Sequence, residues 1–182
     1  MRPRLDPMIN TRRLLLRRIE KSDLDDLIAE INDPDVSRML ARVPHPYGRP
    51  EAEAYFKMAR RSAAAGRSLY FVIDRDGRLI GGIGIGAMPR IHEFGYWLGR
   101  NHWGKGYATE AGRAVLAYGF DVLRLPLVRS GVFTDNPASL RLQMKLGFRP
   151  LGRGERLSLA RGTEVEHIRT VLTRAGFRRG GR

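Results

Sequence analysis

The sequence predicts an α/β protein: a mixed, mostly antiparallel sheet of six to seven strands with helices on both faces. Three observations carry this. Strand-like alternation runs through residues 68–75, 78–86 and 91–98 in direct succession, helix-like spacing precedes that run, and helices and strands alternate after it. At 182 residues, 42% of them hydrophobic, the chain suits a single domain able to bury one core.

Leu14 and Leu16 share a face within Thr11 to Ile19, the expected first strand. Ser22 is the expected cap of the helix that follows, where Asp23, Asp25 and Asp26 favour a helix start and Leu24, Leu27, Ile28 and Ile31 form its apolar stripe. Asn32-Asp33-Pro34 ends it, and a short helical piece is expected from Asp35 to Ala41. Two prolines and a glycine make residues 42–48 irregular, with His45 and Tyr47 as minor candidates for substrate contact. Pro50 opens a helix that Gly66 stops.

Asp76-Gly77 is a hairpin signal between the strands Ser68–Arg75 and Arg78–Gly86. Gly81-Gly82-Ile83-Gly84-Ile85-Gly86 has no helix pattern after it, since Met88-Pro89 leads into the strand Ile91 to Leu98. It reads as a strand of thin residues against which something packs closely. Ala108 to Leu123 is a helix, Leu127 to Phe133 a strand, and Ala138 to Leu146 a short helix ended by Gly147. Residues 148–151 open a strand that Gly152-Arg153-Gly154 disturbs, Glu164 to Leu172 alternates as the last strand, and residues 174–182 read as a frayed basic tail.

Composition narrows the function classes. Without cysteine there is no disulfide, thiolate metal site or acyl-cysteine intermediate. No long apolar run and no signal-like N-terminus point to the cytoplasm. His45, His92, His102 and His167 lack metal-ligand spacing, so no metal is expected. The net charge of +14 admits nucleic acid, but the arginines are scattered along the whole chain, so nucleic acid is not expected as a direct substrate.

The chemistry concentrates in residues 93–110, an apolar strand, a loop with Gly99, Gly104 and Gly106, and a helix start. Such an arrangement offers unpaired backbone N–H groups to a phosphate. A Walker A loop fails because Gly106 stands where the magnesium-binding hydroxyl belongs, and the dinucleotide fingerprint fails on glycine spacing. Trp103-Gly104-Lys105-Gly106-Tyr107-Ala108 instead resembles the pyrophosphate loop of the GNAT acetyltransferase superfamily, with Trp103 where Arg or Gln is usual. With Thr109-Glu110-Ala111 following, it looks like the branch of the ribosomal-protein acetyltransferases RimJ and RimL and many small-molecule acetyltransferases.

The resemblance covers about residues 11–173 and implies the GNAT fold, with acetyl-CoA as co-substrate. It implies that Trp103, Gly104, Lys105, Gly106, Tyr107, Ala108 and Thr109 hold the pyrophosphate, and that the pantetheine arm pairs with the backbone near Trp97 and Leu98. The oxyanion would meet a backbone N–H near Leu98. Asn136, an evident cap for the helix at Pro137, would also contact coenzyme A, and Ser139 would lie near its sulfur as a proton donor or thiolate stabiliser.

Glu93 is the first candidate for general base, a carboxylate within an apolar strand whose partial burial would raise its pKa. A solvent-facing carboxylate and the neighbouring His92 are the alternatives. The expected activity is direct acetyl transfer to a primary amine, a protein N-terminus or a small molecule such as an amino acid, polyamine or antibiotic. A homodimer is compatible with this reading. The competing function is a non-catalytic basic RNA- or ribosome-binding module on the same scaffold.

Overall fold

The computed structural model describes residues 7–88 and 91–180. The proline-broken N-terminus at residues 1–6, Pro89 of the expected link and the last two residues of the tail lie outside them. Eight strands form one sheet: β1 (Ile9–Asn10), β2 (Leu15–Arg17), β3 (Ser68–Arg75), β4 (Arg78–Met88), β5 (Ile91–Leu98), β6 (Leu127–Phe133), β7 (Arg149–Ser158) and β8 (Thr163–Thr173). Their order is β1-β2-β3-β4-β5-β6-β8-β7, and every neighbouring pair is antiparallel except β5 with β6. The strand beyond the expected six to seven is β1, whose two residues are too short to show a period and are fixed only by pairing Ile9 with Leu16.

Alternation along β3 divides the core. Leu69, Phe71 and Ile73 join Leu16, Phe94, Val115, Phe120 and Phe148 on the face covered by α4 (Tyr107–Ala117) and α5 (Pro137–Lys145). Val72 and Tyr70 lie on the opposite face, with α1 (Leu24–Ile31), α2 (Pro34–Ser37) and α3 (Arg49–Ala64). The Asp76-Gly77 hairpin forms as expected, with φ of 56° and 83° at the two central residues.

Several boundaries depart from the sequence expectation, the short helix after Asn32 among them, which is Pro34–Ser37 and not Asp35 to Ala41. The first strand is limited to Leu15–Arg17, because Thr11 turns the chain by accepting and donating locally to Leu14. Ser22 does not cap α1. The Asp23 carboxylate accepts from the Glu20 N–H at 2.7 Å, opening a 3₁₀ turn before α1, and is held by Arg17 at the same time. β7 runs through Gly152-Arg153-Gly154, which it accommodates as a register shift between Pro150 and Gly152.

The tail is helical rather than frayed: α6 (Arg174–Gly180) packs Phe177 on Phe120 with ring centroids 5.6 Å apart, and Arg174 donates to the Phe120 carbonyl. The Phe120 backbone itself belongs to a π-helical turn, residues 118–122, that continues α4, so that the helical stretch spans nearly the expected Ala108 to Leu123.

Candidate active site

β5 and β6 run parallel but share one paired position, Glu93 with Arg129. Immediately afterwards the Phe94 carbonyl accepts from the Ser130 hydroxyl at 2.8 Å. Ser130 in turn accepts from Gln143 Nε2 at 2.8 Å, and Gln143 Oε1 accepts from Thr170 at 2.6 Å, all three side chains being buried. This chain ties α5, β6 and β8 to the point where the strands part, and the satisfied polar groups justify their burial. Beyond it opens a cleft of about 1270 Å³.

One wall of the cleft is the glycine loop. Gly104 and Gly106 have φ of 72° and 80°, a left-handed conformation that ordinary residues adopt reluctantly. Gly106 caps α4 without a side chain, so the first N–H groups of the helix have no intrahelical acceptor. A Cβ at Gly104 would meet nothing within 4 Å, which leaves the backbone open to a close ligand.

The loop is braced from behind. Arg13 donates to the Lys105 carbonyl at 3.0 Å and pairs with Glu110 at 2.7 Å. Burial raises the Glu110 carboxyl, but the hydrogen bonds from Thr11 and Arg13 prevail and hold it below the usual range. Trp103 donates its indole N–H to the Leu98 carbonyl at 2.8 Å, which fixes the turn from strand to loop. These residues fit a bound pyrophosphate: open N–H groups, no side chain in the way, and a loop rigidly held.

The opposite wall is the start of α5. Asn136 accepts from the Ser139 N–H at 3.0 Å, the capping bond that its position predicts. The Ser139 hydroxyl lies 2.7 Å from the Tyr96 phenol, which also donates to the Ser139 carbonyl at 3.2 Å. Burial pushes the Tyr96 phenol up to about 12, against the hydrogen bond with Ser139, so the phenol is a neutral donor near pH 7.

The remaining wall is the sheet face that carries Glu93, Gly95 and Trp97. Here the thin residues of β4 find their partners: a Cβ on Gly82 would lie 2.6 Å from Trp97 Nε1, and one on Gly86 2.5 Å from the Tyr70 hydroxyl. Trp97 and Tyr70 thus pack closely against β4, in line with the close-packing expectation. Tyr47, Tyr55, Ile31 and Met58 close the chamber from the helical side. A Cβ on Gly95 would meet nothing within 4 Å.

Glu93 stands at the chamber edge between two guanidinium groups, Arg42 at 2.6 Å and Arg156 at 2.8 Å. Burial pushes its carboxyl up, yet the hydrogen bonds and charges of Arg156 and Arg42 outweigh that and hold it below the usual carboxylate range. The expected rise in pKa is therefore corrected. A strand pattern shows burial but not two arginines that arrive from residues 51 and 63 positions away.

The structure brings Trp97, Leu98, Trp103, Gly104, Gly106, Tyr107, Ala108, Thr109, Asn136, Ser139 and Glu93 around one cleft. Lys105 is not among the lining residues, its ammonium donating to the Asn101 carbonyl at 2.8 Å. Tyr47 lines the chamber while His45 is exposed outside it, and His92 does not line it either. Tyr96, Arg42 and Arg156 escaped the sequence reading. Period-two spacing from Phe94 and Leu98 would have placed Tyr96 on the α5 face; no local signal marks the arginines.

Residues 13–149 match the family model described as an acetyltransferase (GNAT) domain. The chain is 30% identical over 161 residues to the uncharacterized N-acetyltransferase p20 of Bacillus licheniformis, covering 86% of this chain and 90% of that one. It is 27% identical over 136 residues to the spermidine N(1)-acetyltransferase of Escherichia coli (strain K12), covering 73% and 71%. Among solved structures, Mycobacterium smegmatis RimJ in complex with CoA-disulfide superimposes with a TM-score of 0.80 at 22% identity, over 96% of this chain and 91% of that one, a likeness of fold. With the family model spanning most of its length and the p20 relative nearly all of it, the chain belongs to the GNAT acetyltransferase family and is an N-acetyltransferase by class.

Proposed function

We propose that the protein transfers an acetyl group directly from acetyl-CoA to a primary amine within a ternary complex. The observation that carries this is the parting of β5 from β6 between the open glycine loop and the Tyr96–Ser139 pair. Acetyl-CoA bound there would supply the activated acyl group. The N–H groups at the α4 start would receive its pyrophosphate and the free backbone of β5 its pantetheine arm.

In the transfer, the amine nitrogen bonds to the carbonyl carbon, the carbon–sulfur bond breaks, and the thiolate takes a proton. Tyr96 and Ser139, hydrogen-bonded to each other, form the donor pair for that proton. A backbone N–H near Leu98 would meet the oxyanion. Glu93, ionised near neutral pH, would draw in the acceptor's ammonium group and pass its proton to solvent through water. The cytoplasm, with its acetyl-CoA, is the place this chemistry requires.

Calorimetry with acetyl-CoA tests the reading at its base: no binding at millimolar concentration would end it. Ser139→Ala should lower turnover by about 10- to 100-fold while acetyl-CoA affinity changes less. Tyr96→Phe should behave alike, and a double variant no worse than either single one would show the two acting as a pair.

A further inference from the structure

We infer that the acceptor is an amino-acid-like zwitterion, an amine with a carboxylate close by on an apolar or aromatic body, read by the Arg42–Glu93–Arg156 row at the edge of the aromatic chamber. The inference rests on the acetyltransferase reading and names the substrate class of the same site.

The row places opposite charges in sequence. Glu93 Oε2 accepts from Arg42 and Oε1 from Arg156, which leaves each oxygen further lone-pair capacity for an ammonium group. Among the described residues, Arg42 and Arg156 each donate one side-chain hydrogen bond to Glu93, and a guanidinium has five N–H groups. Two cations around one anion leave a surplus positive charge that suits a carboxylate. The row adjoins the ring floor: Gly86 pairs in register with Glu93, and the Tyr70 hydroxyl lies against Gly86.

The other carboxylates lining the cleft stand apart from the row: Glu51 accepts from the Gly48 N–H at 2.9 Å through one oxygen, and Asp135 is bound by Arg161 at 2.8 Å and Arg38 at 3.3 Å. A polyamine would therefore meet two arginines at the row itself, which repel its further cations. A peptide N-terminus offers the amine but no carboxylate beside it. The body of the acceptor meets Tyr47, Tyr55, Tyr70, Trp97, Ile31 and Met58, surfaces that favour a flat or branched apolar group.

The test is thiol release by the full chain with saturating acetyl-CoA and five acceptors: L-phenylalanine, L-leucine, phenethylamine, spermidine and an alanine-initiated tetrapeptide. At least one of the two amino acids should exceed phenethylamine, spermidine and the peptide by about tenfold or more in kcat/KM. Arg42→Gln and Arg156→Gln should each shrink the ratio of amino acid to phenethylamine, chiefly through KM. Preference for spermidine or the peptide would overturn the inference while leaving the acetyltransferase reading intact, as would a ratio unmoved by both arginine variants. No thiol release with any of the five would overturn the inference, and acetyl-CoA binding by calorimetry would then decide the acetyltransferase reading separately.

Discussion

Two clusters of three charges sit on this sheet with inverted composition. In one, Arg17 on β2 lies between Asp23 and Asp74, at 2.8 and 2.7 Å, with side-chain exposures of 16%, 6% and 7%. In the other, Glu93 lies between Arg42 and Arg156, with exposures of 25%, 62% and 34%. The first clamps the turn before α1 to β2 and β3 and excludes water. The second stays wet and presents unused donors to a cleft. The same pairing chemistry thus serves cohesion where it is closed and recognition where it is left open, and burial decides which.

The contrast would break most visibly in unfolding experiments. Arg17→Ala strands two buried carboxylates and should cost about 3–5 kcal/mol in urea denaturation, whereas Arg156→Ala should cost under about 1 kcal/mol. Equal losses would abolish the distinction. Activity should invert the ranking, with Glu93→Ala lowering kcat/KM for the amine about 100-fold at nearly unchanged stability. Gly95→Val, which fills open space on the floor of the chamber, should raise the acceptor KM about tenfold and leave acetyl-CoA affinity alone, as calorimetry would show.

The smallest effect is pH dependence. The folded Glu93 carboxyl lies below its ordinary value, so its share of stability is present above the unfolded glutamate range, about pH 4.3, and is lost as pH falls through the depressed folded value. Denaturation curves of Glu93→Gln and the parent should converge in that acidic window, from a difference of under about 1 kcal/mol at pH 7. A difference that widened on acidification would mean that the carboxyl is raised, not lowered.

What was legible in the sequence is what local spacing encodes. The alternation of Leu69, Phe71 and Ile73, the Asp76-Gly77 turn, the glycine loop and the Asn136 cap each fix a few neighbouring residues, and each stands as read. The glycines of β4 announced a close approach without naming Tyr70 and Trp97 as the residues that make it. What stayed hidden depends on distant partners. α6 owes its order to Phe177 meeting Phe120, and Glu93 owes its charge state to Arg42 and Arg156. Composition likewise could not show which arginines meet carboxylates, as Arg13, Arg17, Arg42, Arg156 and Arg161 do.

The Ser130 hydroxyl on the Phe94 carbonyl has a wider consequence. Along a regular ladder the strand spacing is a constant of the peptide chain, but past the Glu93–Arg129 pair a hydroxyl and the glutamine behind it continue the link. The gap between β5 and β6 is then adjustable by ordinary side-chain substitution. A Ser130→Ala or Gln143→Leu change would remove this link at the point where β5 and β6 part, and with it a fixed edge of the cleft that both residues line.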